Sequence, residues 1–142
     1  MRRIVCIGNR YVAQDSAGPR VYDLLCRRPL PEGVEVIDGG IAGLGLLRLA
    51  DGAERLVFVD AVLGMGTGET VAEIDAAQVE GLAQGTLDHA AGLPYLLRAL
   101  PIACDGPVPE VKVVGVAGAA DPKALEMAAT LALRLAVGPR SG

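Results

Sequence analysis

The chain has 142 residues, 51% of them hydrophobic, with a formal net charge of -4. That length reads as a single domain over residues 1–142, able to bury about two-thirds of the surface its unfolded form exposes. The absence of a basic cluster and an aromatic content of 3% exclude the usual nucleic-acid footprint, and no apolar run approaches the roughly 20 residues of a membrane span, so no nucleic-acid or membrane partner is expected.

Taken in order, the chain alternates strand and helix. Arg3 to Ile7 reads as a first strand ended by the turn pair Gly8-Asn9. It follows Met1-Arg2 with no room for the apolar region of a signal peptide. A loop through Gln14 and Asp15 leads to Pro19, Val21, Leu24 and Leu25, a helical spacing with proline in the first turn. Val34 to Asp38 is the second strand, and a leucine-rich short helix (Leu44, Leu46, Leu47, Leu49) ends at Asp51-Gly52. The glycines between them lack the G-x-G-x-x-G order of a dinucleotide loop and read as a tight turn.

The run Leu56 to Val59 has the β-branched richness of a strand buried on both faces of a parallel sheet. It stops on Asp60, ahead of Gly64, Gly66 and Gly68. Val71 to Asp75 alternates as a half-exposed edge strand does. Leu93, Leu96, Leu97 and Leu100 form one helical face, with Pro94 tolerable only near its start and His89 in the lead-in. Pro101 to Pro109 reads as a loop. Val111 to Val116 is the last strand; Asp121-Pro122 reads as a cap and first position of a closing helix that stops at Gly138-Pro139.

This order predicts a three-layer α/β/α sandwich around a mainly parallel, five-stranded sheet, with one edge strand free to run antiparallel. Loops that follow parallel strands emerge on one edge, so Asp15 and Asp60 come within joint reach of one ion, neighbouring strands being about 4.8 Å apart. His89, the only histidine, sits ahead of a helix packed on that sheet. Two carboxylates and an imidazole suit a borderline divalent metal such as zinc, nickel or manganese, and three protein ligands with an open position make a catalytic kind of site. Each residue also has a plainer reading. Asp60 caps its loop, Asp15 meets a helix dipole, His89 is a solvated loop residue, Asp88 is a helix cap, Asp38 is a turn former, and Glu69, Glu73 and Asp75 are a solvated face. Three cysteines, odd in number and widely spaced without a C-x-x-C pair, favour a reducing cytoplasm over disulfides or structural zinc.

The combination of IVCIGN-x5-D-x2-G, VIDGGIAGLGLL, LVFVDAV followed by a glycine-rich loop, and H-x2-GL ahead of a leucine helix resembles the hydrogenase maturation proteases. The likeness runs from about Ile4 to Leu97. It implies that Asp15, Asp60 and His89 are the metal-binding and catalytic positions. It implies a cytoplasmic endopeptidase that removes a C-terminal peptide from the precursor of a nickel-iron hydrogenase large subunit. Nickel then arrives with that precursor, and zinc or another divalent ion is able to occupy the site in vitro. No serine or cysteine nucleophile has an evident base of its own. The chain departs from the family at Gln14, where an acid usually precedes the first ligand, and at Ala90, where an aspartate usually follows the histidine; Asp88 precedes it instead. Its glycine-rich loop is short, and Pro19 is unusual at that helix start. Two alternatives follow: a non-proteolytic binding module or assembly chaperone for a metalloenzyme subunit, and a small metal-dependent hydrolase that holds its own ion.

Overall fold

The computed structural model describes residues 1–41, 43–63, 70–81, 92–117 and 120–139. Strands β1 (Arg2–Ile7), β2 (Val34–Gly40), β3 (Arg55–Leu63), β4 (Val71–Ile74) and β5 (Glu110–Ala117) form one sheet in the order β2-β1-β3-β5-β4. β1 runs parallel to β2 and β3, and β3 runs parallel to β5, whereas β4 is antiparallel to β5. This is the expected mainly parallel sheet with its antiparallel edge strand.

Both faces are covered, which is why the central strands read as continuous apolar runs. Ile4, Cys6, Val57, Val59, Val114 and Val116 pack on one face against α1 (Ala17–Cys26) and α4 (Pro122–Val137). Ala124, Ala128, Ala132 and Ala136 of α4 recur every four residues in that layer, a smooth stripe that lets the helix lie close to the strands. Val5, Ile7, Leu56, Phe58 and Val113 face the other way. There they meet the 3₁₀ helix Leu44–Ala50, α2 (Ala76–Gly81) and α3 (Leu93–Ala103), whose Leu93, Leu96, Leu97 and Leu100 are all buried.

The elements depart from the sequence pattern in three places. β3 continues through Asp60 to Leu63, with an irregular register against β5 between those two residues, so the acid is inside the strand and not at its end. α3 runs through Pro101 to Ala103, and the segment from Pro101 is therefore not all loop. Proline is tolerated there because it sits in the last turn, where only the bond to the Leu97 carbonyl is given up, and the Cys104 N–H closes the helix on the Leu100 carbonyl at 3.1 Å. α2 is an addition. It has only one buried residue, Val79, and so no apolar period to announce it; Asp75 starts it by accepting from the Ala77 N–H at 2.9 Å. By contrast, the closing helix begins as its motif predicts, with Asp121 Oδ1 accepting from the Ala124 N–H at 2.9 Å ahead of Pro122.

The strand order puts a topological switch between β1 and β3. The chain leaves β1 towards β2 on one side, and leaves β3 towards β5 and β4 on the other. In open α/β sheets the crevice outside the carboxyl ends of two such strands is where ligands bind.

Candidate active site

The first wall of that crevice is the loop after β1. Its shape depends on two glycines. A Cβ at Gly8 would overlap the Asp15 carbonyl oxygen and lie 2.9 Å from Pro19 Cδ, and a Cβ at Gly18 would overlap the Ile7 carbonyl. Glycine at both positions lets the loop and the start of α1 close on the end of β1. The loop ends in the 3₁₀ turn Ala13–Asp15, and the Asn9 N–H donates both to the Asp15 carbonyl at 2.9 Å and to Asp15 Oδ2 at 3.1 Å. The Asp15 side chain is thereby held at the carboxyl edge by the backbone of the turn that follows β1.

Asp60 approaches from β3. It is 8% exposed, its Oδ1 accepts from the Ala61 N–H at 2.8 Å, and its register partner on β5 is Gly115, which places no side chain beside it. Burial raises the Asp60 carboxyl from its usual range to about 7; the Ala61 N–H opposes that shift, and the negative charge of Asp15 adds to it. The two acids are thus close enough to repel. A buried carboxylate whose neighbouring charge is a second carboxylate is short of positive charge, and a cation beside it would offset both the burial and the like charge.

Counting by twos from Leu56 and Phe58 places Asp60 on the face that α3 covers. His89, the third residue of the expected set, lies outside the described residues, as do Asp88, Ala90 and Glu69. Among the described residues no group of three His, Cys, Asp or Glu is placed to hold a metal ion. Gln14 is exposed, and the bond that orients Asp15 comes from Asn9, so the acid missing at position 14 does not strip Asp15 of that support. Asp38 is the turn former expected, its Oδ1 accepting from the Gly40 N–H at 3.1 Å.

The structure also shows a partnership with no sequence signal. Arg10 donates to both carboxylate oxygens of Asp23, at 2.6 and 3.2 Å, and lies 3.7 Å from Asp38. This cation on the loop after β1 is committed to acids of α1 and β2. Cys6 is buried, and burial pushes its thiol above the ordinary range, so it stays protonated and makes a poor nucleophile.

Against known proteins, the HycI hydrogenase maturation protease model matches residues 19–137, a span that holds Asp60 and His89 and begins just after Asp15. A sequence comparison with curated proteins finds no match. Among solved structures, an endopeptidase from Escherichia coli is 27% identical with a TM-score of 0.70, over 95% of this chain and 89% of that one. The hydrogenase maturating endopeptidase HybD from E. coli is 25% identical with a TM-score of 0.67, over 94% and 88%. A hydrogenase 2 maturation peptidase from a Thaumarchaeota archaeon is 28% identical with a TM-score of 0.55, over 94% and 93%. With the family model matching most of its length, the chain belongs to the hydrogenase maturation proteases, peptidases that cleave the C-terminal extension of a hydrogenase large subunit.

Proposed function

We propose that the chain, acting as one domain over residues 1–142 in the cytoplasm, removes the C-terminal extension of a nickel-iron hydrogenase large-subunit precursor once nickel is in place. In this reading Asp15, Asp60 and His89 are the residues that meet the metal. The observation that carries it is the buried Asp60 at the switch between β1 and β3, where the charge of Asp15 adds to the cost of ionising it. Such a pair suits an ion that arrives with the substrate: the cation is supplied by the precursor and departs with the product.

The set is chemically suited to nickel. Two carboxylates and one imidazole complete the coordination of a partly liganded borderline ion, and zinc or another divalent ion would fit the same donors in vitro. A metal so held polarises a neighbouring carbonyl or lowers the pKa of a water. The chain's own share is to orient: the Asn9 N–H fixes Asp15, the Ala61 N–H fixes Asp60, and the β3 wall keeps Asp60 out of bulk water. We assign no nucleophile to the chain.

The test is to express the chain with hydrogenase large-subunit precursors, nickel-loaded and nickel-free, and read the mass of the large subunit. Loss of a C-terminal peptide only from the nickel-loaded form is the expected result. A precursor that is bound but never shortened would replace the protease with the binding-module reading, and tight binding of zinc or nickel by the isolated chain would favour a hydrolase with a resident ion.

A further inference from the structure

The loop that carries Asp15 has a second feature unrelated to metal binding. Among the described residues Tyr11 is the most exposed large hydrophobic side chain, at 93%, and its neighbour Val12 is 47% exposed. An aromatic ring this far out of the fold is ordinarily found at the tip of a loose loop. This loop is tied down at every step. The Tyr11 N–H donates to Asn9 Oδ1 at 2.9 Å, the Val12 N–H to the Asn9 carbonyl at 3.1 Å, and the Asp15 N–H to the Val12 carbonyl at 2.9 Å. Its mouth is closed by the Asn9 N–H on Asp15, and its flank is pinned by Arg10 on Asp23 and Asp38.

The next strand adds to the same surface. Ile41, 71% exposed, follows directly on β2, whose end is joined to the loop by the Gly8 N–H donating to the Gly40 carbonyl at 2.9 Å. The sheet therefore presents Tyr11 and Ile41 from adjacent strand ends, on the edge where Asp15 sits four residues from Tyr11. Arg10, directly before Tyr11 in sequence, is held on Asp23 and Asp38, so its guanidinium is engaged within the chain and the two apolar side chains stand on a rigid base. A tyrosine held in place before binding loses little conformational freedom on contact, and tyrosine is among the residues that dominate protein interfaces when centred on an apolar patch.

We infer that Tyr11 and Ile41 dock the folded body of the precursor, beside the site and separate from it. The inference rests on the processing reading above. A protein whose peptide bond must reach Asp15 and Asp60 lies over this edge of the sheet, so its surface covers the loop of Tyr11 whatever the sequence of the extension. The contact it makes there is through these two apolar side chains, and it sets which precursor is accepted. It takes no part in the reaction.

The experiment uses the nickel-loaded, full-length precursor and compares the wild-type chain with Tyr11→Ser, Ile41→Ser and Tyr11→Phe. Both serine variants are expected to raise KM for processing by at least about tenfold with kcat within about twofold, and Tyr11→Phe to stay near wild type. Unchanged thermal unfolding confirms that the fold is intact, as both side chains face solvent. A KM for Tyr11→Ser within about threefold of wild type overturns the docking surface and leaves the protease reading standing. If the wild type cuts no precursor, the protease reading fails. Direct precursor binding then decides: weaker binding by Tyr11→Ser upholds the surface, and equal binding or none by the wild type removes it. Sedimentation of the wild-type chain covers the other occupant. A concentration-dependent dimer that Tyr11→Ser abolishes would assign the patch to a second copy.

Discussion

The two edges of the sheet handle buried charge in opposite ways. At the amino edge, Arg55 at the start of β3 is 1% exposed and fully engaged. It pairs with Glu110 on β5 at 2.6 Å and donates to the Leu135, Gly138 and Pro139 carbonyls at the end of α4, at 2.6, 2.7 and 2.9 Å. Arg2 and Arg3 at the start of β1 do likewise, Arg2 donating to the Ala136 and Gly138 carbonyls and Arg3 to those of Leu49 and Asp51. Cations there meet both a carboxylate and the negative ends of helical segments. At the carboxyl edge Asp60 is almost as buried, and the charge acting on it has its own sign. A buried ion that keeps its partners costs the fold little, whereas one left beside a like charge costs it stability, which is what makes Asp60 a candidate for a functional role.

That contrast breaks first at Arg55. Arg55→Ala takes from Glu110, whose side chain is 17% exposed, its nearest cation, with Lys112 standing farther off at 4.0 Å, and removes donors from the last carbonyls of α4. Breaking a buried pair from one side costs about 3–5 kcal/mol, read as a lower urea midpoint. A loss under about 1 kcal/mol would place this arginine among ordinary surface pairs.

Asp60→Asn tests the other edge and moves in the opposite direction. The isosteric amide removes a charge that the folded protein disfavours, so the metal-free variant gains stability above pH 7 while processing falls by at least about a hundredfold, a barrier increase of about 3 kcal/mol. The sign follows from linkage. The folded carboxyl binds its proton up to about pH 7 and the unfolded one releases it near the ordinary aspartate value of 3.8, so the wild type loses stability as pH rises between those values. Asp60→Asn flattens that slope and gains at least about 4 °C in Tm at pH 8. An unchanged slope would mean that Asp60 is not the group responsible.

Asp121→Ala is the smallest effect and the control. This acid is satisfied by the Ala124 N–H, so its loss costs about 1 kcal/mol of stability and leaves processing intact. Reduced processing would show that carboxylates following the parallel strands are not distinguished by their partners.

Much of this was legible in the residues alone, because the signals act over short range. Strand runs such as Leu56 to Val59 declare burial on two faces, the leucine spacing from Leu93 to Leu100 declares one face of a helix, and Asp121-Pro122 declares a helix start. The order of elements likewise brought Asp15 and Asp60 to one edge. α2 escaped because six residues with one buried side chain carry no period, and the reach of α3 past Pro101 escaped because proline is costly inside a helix but cheap in its last turn. The strand order β2-β1-β3-β5-β4 and the switch between β1 and β3 belong to tertiary structure, since parallel strands are joined across long connections whose partners no local pattern names. The same holds for charge. Asp60 and Arg55 stand five residues apart in one strand, and only the fold decides that Arg55 finds Glu110 and the end of α4 while Asp60 finds Asp15. A charge is costly or satisfied according to what is packed beside it, and in this protein those neighbours come from segments distant in the chain.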